Sequence, residues 1–138
     1  MTPEGAEARL ASLGEDAEGF RLYPALEPVA SDVFVKKVKY SAFIQGSSDL
    51  ESQLKRRGIE SLLIAGTTTN VCCESTARDA MMLDYRVIVL SDATAASTVE
   101  EHVAALNSLA LYFADVMSVD EALRLNAKIA MPQAAVRV

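Results

Sequence analysis

The feature that most constrains the fold is the alternation of short apolar segments with amphipathic ones. Residues 61–66, SLLIAG, are wholly apolar, a pattern typical of a parallel strand covered on both faces. Residues 85–93, YRVIVLSDA, predict the next strand, and residues 72–83 between them have helical spacing. Strands that alternate with helices favour right-handed crossovers. The sequence therefore predicts an α/β fold, with a parallel sheet in a three-layer α/β/α sandwich.

Further strands and helices extend this alternation on both sides. The β-branched residues of 33–38 predict an earlier strand, and ADVM, residues 114–117, predicts a late one. Helix starts are indicated where Ser or Thr is followed three residues later by Glu, which occurs at Ser48, Ser97, Thr98 and Ser118. The first of these helices should span residues 49–57 and stop at Gly58. In the helix that follows Thr98, one apolar face is predicted from Val99, Val103, Leu106, Ala110 and Phe113.

The first residues differ in composition from the rest of the chain. Residues 1–21 are acidic and poor in large apolar side chains, with at most a weak helical turn at residues 7–13, so we expect a loosely ordered arm. Residues 22–138 are expected to form a single domain, because 138 residues suit one hydrophobic core.

The charge of the chain restricts its partners. A formal net charge of -6 and a pI near 4.8 argue against nucleic acid or an anionic membrane surface. The apolar runs are far shorter than the roughly 18 residues that a membrane span needs, and the start of the chain lacks a signal-peptide pattern. We therefore expect a cytoplasmic protein whose partner is a small molecule or another protein.

Both cysteines of the chain, Cys72 and Cys73, are adjacent. A disulfide between neighbours would strain the intervening peptide, so free thiols in a reducing compartment are expected. One histidine and one vicinal cysteine pair do not supply the spaced ligands of a zinc site. We expect neither a metal nor a cofactor.

The cysteines follow GTTTNV, residues 66–71, where a strand turns into a helix. Ligands of parallel α/β sheets bind beyond the carboxyl ends of the strands. The free N–H groups and the dipole of a helix N-terminus favour a thiolate, so Cys72 is a candidate nucleophile. The alternative is structural, because free cysteines are among the most buried residue types.

A candidate cation lies at the end of the predicted strand 33–38. If this strand is parallel to the strand that precedes Cys72, Lys39 lies at the same cleft as Cys72. It could then stabilise the thiolate or move protons. The alternative for Lys39 is a solvated strand end, and Lys36 and Lys37 are expected to point to solvent. For His102 we expect a position on the helix surface or a partly buried one. For Arg78 and Asp79 we expect an ion pair, either on the helix surface or between elements.

Four segments in order, KYSAF, GTTTNVCCESTARDA, VIVLSDATAA and EEHVAAL, resemble the isochorismatase-like cysteine hydrolases. The similarity runs from about residue 22 to residue 123. It implies the α/β/α fold given above and a hydrolase that acts on a small amide, ureide or carbamoyl compound. Such an enzyme would work through a cysteine thiolate and a thioester intermediate.

The resemblance also implies roles for single residues. The family nucleophile matches Cys72 rather than Cys73, and its lysine matches Lys39. The family's cis peptide bond would fall between Thr67 and Thr68, so that the backbone amides of Thr68 and Cys72 form the oxyanion hole.

One departure from the family concerns its aspartate. Family members begin with an apolar strand that ends in the proton-accepting aspartate, and no such phrase occurs here. Asp16 and Asp32 lie in the wrong context for that role, and the metal-holding residues of the nicotinamidase branch are absent too. The chain would then be a fragment, a short form completed by a partner, or a degenerate member that serves in binding or assembly. Without the first strand we expect exposed apolar surface and homo-oligomerisation.

Overall fold

The computed structural model describes residues 2–128 and 136–137. The chain divides into two compact units, Met1–Asp32 and Val33–Val138. This boundary follows residue 32, whereas we expected the acidic arm to end at residue 21. The assignment of residues 22–138 to one hydrolase domain stays a prediction.

The first unit contains a helix and two short turns. Helix α1, Pro3–Leu13, begins at Thr2, whose hydroxyl accepts a hydrogen bond from the Gly5 amide at 3.2 Å. Pro3 suits the first helical position because a backbone N–H there has no carbonyl of the helix to bond to, and proline lacks this N–H. The start expected for the weak helical turn, residue 7, is therefore wrong. The helix begins at Pro3 with Thr2 as its cap, which the composition did not indicate. Two 3₁₀ turns follow, Glu18–Phe20 and Pro24–Leu26.

The second unit contains the strands, all of them parallel. They are β1 Val33–Phe34, β2 Ser61–Thr67, β3 Arg86–Ala95, β4 Asp115–Met117 and β5 Val136–Arg137. One sheet has the order β2-β3-β4, with Ile64 opposite Val89 and Val89 opposite Val116. The other sheet pairs β1 with β5. The predicted α/β class with a parallel sheet is confirmed.

Helices connect the strands of the second unit. They are α2 Leu50–Arg56, α3 Glu74–Met82, α4 Val99–Tyr112 and α5 Val119–Lys128. The predicted helix 49–57 corresponds to α2, and Gly58, with φ at +64°, ends it as expected. Among the helices in the described part of the chain, none has the length and apolar character needed to cross a membrane.

The hydrophobic core joins the helices to β3. Leu54 of α2, Val89 of β3 and Leu109 of α4 are its largest fully buried apolar side chains. Small residues of α3 pack into the same cluster, namely Ala77 and Ala80. One core therefore contains residues of α2, α3, α4 and β3.

The first strand is shorter than predicted. We expected residues 33–38, whereas the ladder between β1 and β5 ends at Phe34. Beyond it the chain turns, and the Val38 amide donates to the Ser47 carbonyl at 3.1 Å. A strand requires a paired neighbour, which β-branched composition alone does not provide.

The two faces of β2 differ in their cover. We expected SLLIAG to be buried on both faces, but Leu63 is 46% exposed while Leu62 and Ile64 pack against the core. In the described residues β2 pairs with β3 alone. The expectation of two covered faces is therefore wrong for this chain.

The buried face of α4 matches the predicted one only in part, because Leu106 and Phe113 pack against the core. Val99 is 73% exposed, Val103 is also exposed, and the buried residues are Ala105 and Leu109. Apolar residues lie on more than one face of this helix, so spacing alone did not identify the packed face.

Two of the predicted helix starts form capping hydrogen bonds. The Thr98 hydroxyl accepts from the Glu101 amide at 3.2 Å. Ser118 and Glu121 form a reciprocal pair, because the Ser118 amide donates to Glu121 Oε2 at 2.8 Å and the Glu121 amide donates to Ser118 Oγ at 3.3 Å. This is the predicted capping box of α5.

The capping box expected at Ser48 and Glu51 is wrong. The Ser48 hydroxyl donates to the Ala42 carbonyl at 2.7 Å and accepts from the Leu50 amide at 3.1 Å. Glu51 pairs with Lys55 one turn further on. Ser48 thus fixes the preceding loop to the helix start, and Glu51 is engaged elsewhere.

Candidate active site

A run of threonines leads from the carboxyl end of β2 to the two cysteines. The peptide bond between Thr67 and Thr68 is cis, at the position that the family resemblance implied. Residues Thr69–Cys73 then form a π-helical turn, and α3 begins only at Glu74. The predicted helix start at Cys72 is therefore replaced by a wider turn that contains both cysteines.

Backbone hydrogen bonds define this π-helical turn. The amides of Val71 and Cys73 donate to the Thr68 carbonyl at 3.1 and 3.2 Å. The Glu74 amide donates to the Thr69 carbonyl, which closes the next ring and joins the turn to α3. Single π-helical turns insert an extra residue into a helix and are frequent at functional sites.

The two thiols differ in burial. Cys73 is 5% exposed, whereas Cys72 is only partly buried, and both are free. Successive side chains of a helical turn point in different directions, so a turn that packs one cysteine inward directs its neighbour elsewhere. Cys72 is the thiol that a small molecule can reach.

The surroundings of Cys73 keep its thiol neutral. The pKa of Cys73 is raised from 9.0 to about 11, mainly by burial and in addition by a negative charge on Cys72, while the positive charge of Lys37 opposes both effects. Cys73 is therefore a neutral thiol at neutral pH. The effect of Lys37 on this pKa places its charge within electrostatic reach of Cys73.

Lys37 is the lysine that sequence reasoning passed over. It is partly buried, and its ammonium donates to the carbonyls of Lys39 at 3.0 Å and Tyr40 at 3.3 Å. The expectation that Lys37 points to solvent is therefore wrong.

Lys39 occupies a different environment. It is exposed, and its ammonium donates to the Gln45 carbonyl at 3.2 Å, beside Gly46. The role expected for Lys39 beside the thiol stays a prediction.

The structure shows which face of residues 33–38 carries Lys37. Side chains along residues 33–38 alternate, so that Val33, Val35 and Lys37 are partly buried while Phe34, Lys36 and Val38 are exposed. In extended chain, every second residue shares a face. Lys37 therefore lies on the same face as Val33 and Val35. Lys39 comes after the point where the chain is no longer extended.

His102 is linked to the cysteine turn. Its Nδ1 lies 2.9 Å from the hydroxyl oxygen of Thr69, within hydrogen-bonding distance. Thr69 has no exposed surface, and His102 is partly buried, in agreement with one of the two roles expected for it. The third threonine of the run is thus a contact between the turn and α4.

The two aspartates considered from the sequence lie outside the second unit. Asp16 and Asp32 belong to Met1–Asp32. The Asp32 carboxylate accepts a hydrogen bond from the Val29 amide at 3.1 Å, as in a local turn.

Comparison with known proteins identifies the family of the chain. A family model described as "Isochorismatase domain" matches residues 2–121. A ureidoacrylate amidohydrolase, RutB, from Stutzerimonas stutzeri (strain A1501) is 42% identical over 119 residues, which cover 86% of this chain and 46% of that relative. Nicotinamidase 3 from Arabidopsis thaliana is 39% identical over 65% of this chain and 44% of its own length.

Solved structures share the fold. A cysteine hydrolase from Pseudomonas syringae pv. phaseolicola 1448A has a TM-score of 0.81 and 30% identity, covering 92% of this chain and 65% of that chain. An isochorismatase-like hydrolase from Alkaliphilus metalliredigens has a TM-score of 0.74 and 39% identity, covering 80% and 60%. The chain spans about half the length of the curated relatives it matches. Since the family model covers most of its residues, the chain belongs to the isochorismatase family.

Proposed function

We propose that this chain carries the nucleophile of a cysteine hydrolase that cleaves C–N bonds in small amides, ureides or carbamoyl compounds. The observation that carries the proposal is the thiol of Cys72, partly exposed at the carboxyl end of β2 beside a buried, neutral Cys73. The names of the relatives, a ureidoacrylate amidohydrolase and a nicotinamidase, support this substrate class.

In the proposed reaction, the Cys72 thiolate attacks the carbonyl carbon of the substrate and forms a C–S bond. The carbonyl oxygen becomes an oxyanion, for which the backbone amides of Thr68 and Cys72 are the proposed donors. Collapse of this intermediate breaks the C–N bond, and ammonia or an amine leaves after taking up a proton. Water then hydrolyses the thioester, which releases the acid and restores the thiol.

A lysine is proposed to stabilise the thiolate. The resemblance names Lys39, whereas the electrostatic effect on the neighbouring thiol favours Lys37. Lys37 also lies on the inward face of the extended segment, while Lys39 is exposed. We therefore place Lys37 first and keep Lys39 as the alternative. The role of the family aspartate is assigned to no residue of this chain.

The first experiment measures alkylation of Cys72 by iodoacetamide over a range of pH. Fragment-ion mass spectrometry resolves Cys72 from Cys73, and glutathione serves as the free-thiol reference. We expect Cys72 to react faster than glutathione near pH 7, because only the thiolate is nucleophilic. A Cys72 rate at or below that of glutathione across the range would contradict the proposal.

Two variants distinguish the lysines. Lys37→Met should slow Cys72 alkylation at neutral pH by about tenfold, which corresponds to the loss of a nearby opposite charge. Lys39→Met is the matched control and should leave the rate within about twofold. The reverse result would restore Lys39 as the cation. Ammonia release from primary amides and ureides, with Cys72→Ala as the inactive control, then tests turnover.

A second candidate function is non-catalytic binding or assembly within the same fold. The exposed apolar side chains of β2 and α4, such as Leu63 and Val99, favour association with another chain. We propose a homo-oligomer, a dimer or larger, for either function. Light scattering at micromolar concentration tests it, and a stable monomer would contradict it. A reactive Cys72 would favour the hydrolase over the assembly function.

We also propose a cytoplasmic location. Cys72 and Cys73 are both free thiols, and a nucleophilic thiol persists only where the compartment is reducing. Thiol labelling in freshly lysed cells would test this location, because an oxidised Cys72 would remain unlabelled until a reductant is added.

A further inference from the structure

The hydrogen bond between Thr69 and His102 crosses from the cysteine turn to α4. The two side chains are 33 residues apart in sequence, with 2.9 Å between Thr69 Oγ1 and His102 Nδ1. Thr69 is fully buried, so water does not replace this partner. A buried hydroxyl that loses its hydrogen bond is destabilising, which gives the contact a defined geometry.

Thr69 is held at two of its atoms. Its carbonyl accepts from the Glu74 amide and closes the π-helical turn, while its hydroxyl contacts α4 through His102. A residue constrained at both its backbone and its side chain fixes the rotation of the turn about its axis.

That rotation determines where the thiol of Cys72 points. Cys72 follows Thr69 by three residues and lies within the same hydrogen-bonded ring, which the Glu74 amide closes on the Thr69 carbonyl. A change in the orientation of Thr69 therefore moves Cys72 directly, and moves its sulfur relative to Lys37.

Helix α4 is a rigid support for this contact. It is capped at Thr98, whose carbonyl accepts from the His102 amide at 3.2 Å, and it inserts Leu109 into the core. His102 therefore presents its ring from the well-held first part of the helix.

We infer that His102 is a positioning residue, which sets the orientation and reactivity of Cys72 through the hydroxyl of Thr69. This inference rests on the proposed function, in which Cys72 is the nucleophile. His102 makes no contact with the reacting atoms in this role. It keeps the cysteine turn in the arrangement that exposes one thiol and buries the other.

Pairs of isosteric variants test the inference. Asn places a polar atom near the position of the histidine Nδ1, and Leu has a similar shape without it, so His102→Asn and His102→Leu differ mainly in hydrogen bonding. Thr69→Ser and Thr69→Val form the same comparison on the other side of the contact. The measurement is the Cys72 alkylation rate by iodoacetamide, in the full chain and relative to glutathione.

We expect Thr69→Val and His102→Leu each to lower the Cys72 rate by about five- to tenfold, as the loss of one buried hydrogen bond implies. His102→Asn and Thr69→Ser should retain most of the wild-type rate. The double variant Thr69→Val/His102→Leu should react no more slowly than either single variant, because both remove the same contact.

Ser108→Ala is the matched control on the same helix. It removes a different contact between helices, the hydrogen bond donated by Arg78 at 2.8 Å, and should lower stability without changing the Cys72 rate. Equal slowing in Ser108→Ala would show a general effect of destabilisation and would overturn the inference. Unchanged rates in Thr69→Val and His102→Leu would overturn it as well.

The same data separate this inference from the proposed function. A wild-type Cys72 that reacts no faster than glutathione contradicts the hydrolase. The changes among the variants are judged against the wild-type rate, whatever its value. A fast wild-type thiol with unaffected variants therefore rejects only the role of His102.

Discussion

The guanidinium of Arg78 lies over the ring of Phe113, with its central carbon 4.0 Å from the ring centroid. The same group donates to Glu74 Oε1 at 2.6 and 3.0 Å, and to Ser108 Oγ at 2.8 Å. It thereby pairs with the carboxylate of Glu74 on its own helix and joins α3 to α4. The planar fork of arginine makes these contacts together, which the ammonium of lysine cannot.

Replacement of Arg78 by lysine should therefore destabilise the protein although the charge is kept. We expect Arg78→Lys to lower the free energy of unfolding by about 1–2 kcal/mol, through loss of the second carboxylate hydrogen bond and of stacking on Phe113. Urea denaturation measures this difference.

Arg86→Lys provides the control. Arg86 pairs with Glu60 at 3.1 Å, but both side chains are exposed. Exposed ion pairs contribute little, so the change should stay within about 0.5 kcal/mol. Equal effects of the two substitutions would show that the contact with Phe113 is not stabilising.

Two leucines of α4 offer a comparison of burial. Leu109 is fully buried and Leu111 is 70% exposed. Leu109→Ala should lower the free energy of unfolding by about 2–5 kcal/mol, because it leaves a cavity in the core. Leu111→Ala should change it by about 0.5 kcal/mol or less. Denaturation at two protein concentrations separates folding from association, and a large effect of Leu111→Ala at both would contradict the packing of α4.

The raised pKa of Cys73 predicts a loss of stability at alkaline pH. Burial moves it from 9.0 to about 11, so the unfolded chain releases this proton at a lower pH than the folded chain. The contribution is fully present below about pH 9 and is lost as the pH rises towards about 11.

The Cys73→Ala variant isolates this effect. Urea denaturation at about pH 8 and about pH 10.5 should show a steeper loss of stability in the wild type than in Cys73→Ala. Cys72→Ala should retain a loss that depends on Cys73. Identical losses in wild type and Cys73→Ala would exclude Cys73 as the titrating group.

Glu121 predicts the opposite pH dependence at the start of α5. The hydrogen bonds from the amide and the hydroxyl of Ser118 lower the pKa of Glu121 from 4.5. Its contribution is therefore present above pH 4.5 and is lost as the pH falls through the lowered value.

Glu121→Gln should thus remove a stabilising effect at neutral pH that is already absent in strong acid. Glu100→Gln, in the first turn of α4, controls for the loss of one negative charge near a helix start. Helical content followed by circular dichroism during acid titration measures both. A wild-type titration curve that Glu121→Gln does not change would contradict the capping role.

The fold was predictable where local pattern and long-range packing agree. The order of strands and helices followed from periodicity, and Gly58 and Ser118 marked element ends correctly. The pattern failed where a distant partner decides the outcome. The length of β1 depends on β5, and the packed face of α4 depends on which apolar residues meet β3 and the cysteine turn.

The candidate site was predictable to a similar extent. Cys72 was identified from its place after an apolar strand, and it remains the candidate nucleophile. The π-helical turn was not, because it depends on tertiary contacts such as that of Thr69 with His102. Lys37 was overlooked because three lysines lie in one segment and apolar residues occupy both faces of residues 33–38, so that only the burial in the structure identifies its inward face.

The position of β3 between β2 and β4 has a consequence for local stability. Backbone amides in its shared stretch, around Ile88 and Val89, lie in ladders on both edges of the strand. Their protons should exchange with deuterium only when the whole sheet opens, whereas those of the two-residue ladder at Val33 and Phe34 need a much smaller opening. The slowest-exchanging amides of the chain should therefore map this strand as the last part of the molecule to unfold.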